Sequence, residues 1–173
     1  MATKTKLEAG ATFPPMSLPM VGGGEAKIGG GGDWQLFIVY RGKHCPLCRK
    51  YLKGLNGMLD EIDAADIDVV VASGDSKEKA EAEVKEESWN FPVAYGMSYD
   101  QMRALGLYIS HPRQPPETDV DFPEPGLFVI NPDGKAQIID ISNAPFARPD
   151  LTNVLAGIKF VREKNYPVRG TAP

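Results

Sequence analysis

The chain has 173 residues, 42% apolar and 24% charged, which suits a globular domain whose core needs no disulfide or metal staple and excludes wholesale disorder. Its net charge of −4 speaks against a nucleic-acid binder, which carries a basic excess. No apolar run approaches the ~20 residues of a membrane helix, and Met1–Lys6 is followed by no apolar stretch that would make a secretory leader, so a cytoplasmic protein is expected.

The first glycine- and proline-rich stretch, residues 10–32, has room for short strands near Met16–Leu18 and Glu25–Ile28 joined by a glycine turn. Trp34–Tyr40 is β-rich and apolar on both faces, the pattern of a central parallel strand. Leu47, Tyr51, Leu52, Leu55, Met58, Leu59 and Ile62 form one apolar stripe, predicting a helix of about 17 residues. Ile67–Ala72 is the second strand. Asp75 with Glu78 has the spacing of a capping box for a polar helix reaching about Glu87, and Ser98 with Gln101 predicts a short helix in the same way.

Residues 110–125 hold five prolines and many acidic residues and read as an irregular surface insertion. Gly126–Ile130 and Ala136–Ile141 flank the turn Asn131-Pro132-Asp133-Gly134 and predict a hairpin. Leu151, Val154, Leu155, Ile158 and Val161 mark a final helix that Pro149 helps to start, and 165–173 read as a tail. The alternation implies an α/β fold: a central mixed sheet flanked by helices, with an antiparallel edge. One domain is expected over 1–173, with its core at about 10–164.

Two cysteines do not make a disulfide scaffold. They stand three apart in Cys45-Pro46-Leu47-Cys48, where the first central strand ends and the long helix begins. Strand carboxyl ends are where open α/β sheets bind ligands, and the N–H groups of a helix N-terminus favour a thiolate over a thiol. Pro46 fits the first helical turn, where a missing N–H costs nothing. At this spacing the sulfurs can meet, one attacking an oxidant or disulfide and the other resolving the product.

From Trp34 to Leu59 there are five basic residues and no acidic one, so the remainder carries −9. Arg41 and Arg49 are the members of this window expected to bear on a cysteine, with Lys50 and Lys53 on a solvated face. His44 either lowers the thiol pKa of Cys45 or covers the strand end, the second being preferred. Structural zinc needs four ligands, and beyond the cysteines there are only His44 and His111, so no metal and no cofactor are expected. Pro125, just before the third strand, has either a cis bond facing the cysteines or the role of a rigid loop end.

Val39-Tyr40-Arg41-Gly42-Lys43-His44-Cys45-Pro46-Leu47-Cys48 resembles the signature of the peroxiredoxin-like AhpC/TSA branch of the thioredoxin-fold superfamily, an aromatic and Arg-Gly followed by Cys-Pro-x-Cys. Gly126 to Gly134 is similar to that branch's later strand and turn, and Phe13 to Leu18 to its N-terminal hairpin. The resemblance implies a thioredoxin-like fold with an N-terminal β-hairpin extension. In the peroxiredoxin pattern Pro-x-x-x-Thr-x-x-Cys, Arg41 takes the proline slot, Cys45 the threonine slot and Cys48 the peroxide-attacking slot. In the thioredoxin register Cys45 attacks and Cys48 resolves. Peroxiredoxins place an arginine where this chain has Pro125, which matches the cis-proline of thioredoxins. Arg41, Arg113 and Arg148 are the candidates to replace that arginine.

The resemblance implies a thiol-dependent antioxidant oxidoreductase that reduces a peroxide through a Cys45–Cys48 dithiol–disulfide couple. The alternatives are a thioredoxin-like protein-disulfide oxidoreductase and a non-enzymatic redox sensor. The implied partners are a peroxide or disulfide substrate and an external thiol reductant of the thioredoxin or glutathione type, with a homodimer left open. At least one thiol should titrate below the unperturbed ~8.5. A pair sealed beneath side chains, pointing apart or clamping an ion would end this reading.

Overall fold

The computed structural model describes residues 6–173; Met1–Thr5, most of the segment expected to lack a leader, lie outside the described residues. Strands β1 (Met16–Pro19) and β2 (Glu25–Ile28) pair antiparallel around the turn that holds Gly22, Gly23 and Gly24. All three glycines have positive φ, a conformation that side-chain-bearing residues seldom adopt.

Strand β3 (Trp34–Val39) lies at the centre of a five-stranded sheet of order β5-β4-β3-β8-β9. It runs parallel to β4 (Ile67–Ala72), which pairs parallel with the short edge strand β5 (Val93–Ala94). On its other side it is antiparallel to β8 (Gly126–Ile130), and β9 (Ala136–Ile141) closes that edge, also antiparallel. The central mixed sheet with its antiparallel edge is the arrangement expected from the sequence.

Because successive side chains of a strand point to opposite faces, β3 feeds two cores. Leu36 and Ile38, with Tyr40 just beyond the strand, pack with Cys45, Cys48, Leu52, Leu55, Leu155 and Ile158, on the face that carries α1 (Pro46–Asn56), α2 (Leu59–Ala64) and α5 (Leu151–Lys164). Phe37 and Val39 pack the other face with Phe13 and Leu18 from the hairpin side and Met102 from α4 (Tyr99–Ala104). Phe13, Phe37 and Phe128 form an aromatic cluster there, with centroids 5.5–6.2 Å apart.

Four local expectations are corrected. The single long helix is two: α1 ends at Asn56, and Met58 caps α2. Gly57 is a poor helix former, and the Asn56 side chain accepts a hydrogen bond from Asn90 N (2.8 Å). The apolar stripe survives because Met58, Leu59 and Ile62 still pack on the same core. Helix α3 (Lys77–Glu87) is capped by Ser76, whose side chain accepts from Lys79 N, and not by Asp75, which turns inward. Asp150 caps α5, so Pro149 precedes that helix instead of opening its first turn. The insertion at 110–125 is pinched at its base by β6 (Ile109–Ser110) and β7 (Phe122–Pro123), which pair antiparallel. The Ser98–Gln101 capping box is present as expected. No helix among the described residues is long and apolar enough to cross a membrane.

Candidate redox site

After β3, Tyr40 N still donates to Ala72 O (3.0 Å), and the chain then turns through Arg41-Gly42-Lys43-His44. Gly42 has φ +132°, and a Cβ there would lie 2.7 Å from Asp75 Oδ1, so the turn requires glycine. Lys43 N donates to Asp75 Oδ2 (2.7 Å). Lys43 Nζ pairs with Glu86 and Arg49 with Glu87, and Arg49 Nη1 donates to Lys43 O (2.6 Å). These contacts brace the turn against α3.

The turn delivers Cys45 to the N-cap of α1, with Pro46 in its first turn. Cys45 Sγ accepts a hydrogen bond from Cys48 N at 3.2 Å. The two cysteines are joined as a disulfide, with Cα atoms 5.3 Å apart. Both are buried, Cys45 at 2% and Cys48 at 0% exposure. The open pair that the sequence reading called for is therefore absent in this state. An attacking molecule reaches either sulfur only after something moves aside.

The group lying on the pair is Arg148. Its Nη2 is 2.8 Å from Cys48 Sγ and 4.0 Å from Cys45 Sγ. Its Nε donates to Pro145 O (3.1 Å), and its guanidinium carbon sits 4.9 Å from the centroid of the Tyr51 ring. Nη1 is buried without a hydrogen-bond partner. Burial lowers the Arg148 pKa, with Arg41 acting in the same direction, but a guanidinium is basic enough to stay charged near neutrality. Arg148 belongs to the segment 142–149 between β9 and α5. That segment starts with Ser142 N donating to Pro125 O (3.0 Å).

The other expected site residues lie around this pair. Arg41 Nε is 3.2 Å from Glu124 Oε2, and its guanidinium stacks 4.7 Å from the Phe122 centroid. Glu124 is buried and accepts from Ser110 Oγ (2.7 Å), so the base of the insertion fixes Arg41. The His44 ring packs 4.5 Å from Phe122. Burial, then Arg41, lowers its pKa, and a neutral imidazole brings no charge to Cys45. Arg113 pairs with Glu117 out in the insertion, away from the sulfurs. Pro125 has a trans peptide bond; the cis bond among the described residues is Gln114–Pro115. The thioredoxin-type cis-proline is therefore not reproduced in the two-residue link between β7 and β8. Among the described residues no group of three or more His, Cys, Asp or Glu could hold a metal ion.

Sequence reasoning ranked Arg41 and Arg49 ahead of Arg148 and missed Tyr51, Asp75 and Glu83. Arg49 follows Cys48 directly, which on a helix turns it about 100° away from the sulfur. The signal for Arg148 was topological. Val39 registers with Gly126 and Gly126 with Ile141, so the chain leaves β9 at the same sheet end as it leaves β3.

Beneath the turn lies a buried acid. Glu83 is fully buried with neither carboxylate oxygen hydrogen-bonded, and the equally buried Tyr40 hydroxyl facing it also lacks good hydrogen-bond geometry. Burial foremost, with Asp75 adding to it, raises the Glu83 pKa to about 7. Folded protein thus keeps a proton that unfolded protein loses near pH 4.5. This contribution to stability is complete below the unfolded value and is lost as pH rises through about 7. Glu83→Gln should remove that loss and stabilise the fold above pH 7 by about 2–3 kcal/mol relative to its effect at pH 4. Urea unfolding of both proteins across that range checks it, and parallel stability curves would refute it.

A groove of about 500 Å³ opens beside the pair, lined by Leu47, Tyr51, Met58, Phe146, Arg148 and Leu151 among others. At its mouth Phe146 is 82% exposed.

A sequence model of the AhpC/TSA family matches residues 9–139. Among solved structures, a peroxiredoxin-like protein from Aquifex aeolicus superposes with a TM-score of 0.75 at 20% identity, over 90% of this chain and 88% of that one. Peroxidoxin BcpB from Mycobacterium tuberculosis gives 0.74 at 16% identity, over 90% and 99%. Mycobacterium tuberculosis AhpC gives 0.73 at 14% identity, over 94% and 97%. No curated protein sequence matches the chain. At these identities the structural likeness establishes the thioredoxin-type fold of the peroxiredoxins.

Proposed function

The chain belongs to the AhpC/TSA family and is a thiol-based oxidoreductase, and from that premise we propose that it reduces a hydroperoxide with Cys48 attacking and Cys45 resolving. The observation that carries this assignment is the Arg148 guanidinium 2.8 Å from Cys48 Sγ. A fixed positive charge on a sulfur favours its thiolate, and the thiolate is the nucleophile.

In the reduced protein the Cys48 thiolate attacks one peroxide oxygen and the O–O bond breaks. Sulfur loses two electrons and becomes a sulfenic acid, and the departing alkoxide or hydroxide takes a proton to leave as alcohol or water. The Cys45 thiol then loses its proton and attacks the sulfenic sulfur. The disulfide seen in the structure forms and water leaves. The buried, unpartnered Nη1 of Arg148 is a donor available to the oxygen on which charge develops.

Two thiol equivalents from an external reductant restore the dithiol. Attack on Cys45 makes Cys48 the leaving group, and Arg148 stabilises the thiolate that departs. The Cys48 N–H on Cys45 Sγ (3.2 Å) favours a second reading, in which Cys45 is the nucleophile of a protein-disulfide oxidoreductase.

Stopped-flow mixing of the reduced protein with hydrogen peroxide, an alkyl hydroperoxide and a small disulfide separates the two. The peroxidase reading expects oxidation by peroxides to be at least tenfold faster than by the disulfide. The reverse preference assigns the chain to disulfide exchange. Slow, unselective oxidation by all three would remove both enzymatic readings.

A further inference from the structure

We propose that Tyr51 is a positioning residue for the redox pair, holding Arg148 over the sulfurs by gripping both its side chain and its backbone neighbour. The proposal rests on the peroxidase reading above, in which Arg148 stabilises the Cys48 thiolate. Tyr51 lies on α1, three residues after Cys48, so its side chain sits one turn along on the same helix face. Its ring carries the Arg148 guanidinium at 4.9 Å, and its hydroxyl donates to Pro149 O at 2.7 Å. The residue that bears the charge and the one after it are thus fastened to the helix that bears the cysteines.

The grip matters because little else restrains Arg148. Among the described contacts no carboxylate pairs with it, and its one protein hydrogen bond besides those to sulfur goes to Pro145 O within its own segment. That segment, 142–149, has no helix or strand of its own. Without an aromatic face to rest on, the long side chain has many rotamers away from the sulfurs. The phenol also suits the position electrically. Burial pushes the Tyr51 hydroxyl pKa far above its usual value, so the ring stays neutral and adds no anion beside the thiolate.

The test is a double-mutant cycle read by thiolate absorbance against pH. Tyr51→Leu should raise the pKa of the reactive thiol by about one unit and slow peroxide oxidation at pH 7 up to tenfold. In an Arg148→Met background the same change should shift the pKa by less than a third of that, because Tyr51 acts through Arg148. Tyr51→Phe keeps the stacking ring and should restore the wild-type thiol pKa, while the amides of 143, 144 and 146–148 exchange hydrogen faster. An equal shift in both backgrounds, or none in Tyr51→Leu, overturns the proposal and leaves the peroxidase reading standing. If Arg148→Met alone leaves the thiol pKa where it was, the thiolate role of Arg148 falls, and the role of Tyr51 with it.

Discussion

Cys48→Ser should abolish peroxide reduction, with a loss of at least about a thousandfold, whereas Cys45→Ser should leave the first chemical step close to its normal rate and block turnover. A serine hydroxyl is essentially un-ionised at neutral pH, so no nearby guanidinium makes it a comparable nucleophile. The asymmetry follows from what each sulfur touches. Cys48 Sγ has a full positive charge at 2.8 Å, whereas the same group is 4.0 Å from Cys45 Sγ, which holds one backbone N–H at 3.2 Å. A charged partner at contact distance outweighs a neutral donor by roughly a factor of two in energy. In Cys45→Ser the sulfenic acid on Cys48 has no thiol to condense with. Intact mass after one equivalent of peroxide should then show a single added oxygen that excess small thiol removes as water. The opposite outcome, a silent Cys45→Ser and a reactive Cys48→Ser, would hand the attacking role to Cys45.

The elements that position this chemistry were legible because their signals are local. Trp34–Tyr40 and Ile67–Ala72 are unbroken β-rich apolar runs, and the register places them side by side. The cysteines announced themselves by standing between a strand pattern and a helix pattern. The errors have a common origin in competition between neighbours. Apolar spacing continues through Met58 and Leu59, so periodicity alone could not see the break at Gly57, which comes from backbone preference and the Asn56 contact with Asn90. Asp75 and Ser76 each have a plausible capping partner three residues on. The Lys43 N–H claims the Asp75 carboxylate, which leaves Ser76 as the cap.

Charge was the least legible quantity. The basic window around the cysteines is real, but Lys43 and Arg49 pair with Glu86 and Glu87, and Arg41 with the buried Glu124. The cation that reaches the sulfurs comes from a position 100 residues after Cys48. Its arrival depends on strand direction: β8 and β9 both run antiparallel to their neighbours, which returns the chain to the cysteine end of the sheet.

Arg148→Met should raise the thiol pKa of Cys48 and slow peroxide oxidation at pH 7 by about 10- to 100-fold. A hydrogen bond to a charged group contributes roughly 1.5–3 kcal/mol, equivalent to about one to two pKa units. The sign is fixed by which form the charge favours. The guanidinium stabilises the thiolate, so removing it leaves less thiolate at neutral pH, and the rate–pH curve moves to higher pH. Above both pKa values the variant should recover much of its rate, because thiolate is then abundant in either protein; a loss that persists there would instead measure the help Nη1 gives to the departing oxygen. The disulfide should change in step. Arg148 favours the reduced, ionised state of the pair, so the variant's midpoint potential should fall by about 30 mV for each 1.4 kcal/mol of thiolate stabilisation lost. Arg148→Lys should fall between the two, keeping a charge but losing the planar group that rests on Tyr51. Oxidation rates measured from pH 5 to 10, with equilibrium against a thiol buffer, check both effects. Unchanged rate and potential in Arg148→Met would mean that the guanidinium merely covers the sulfurs, and Cys48 would lose its claim to the attacking role.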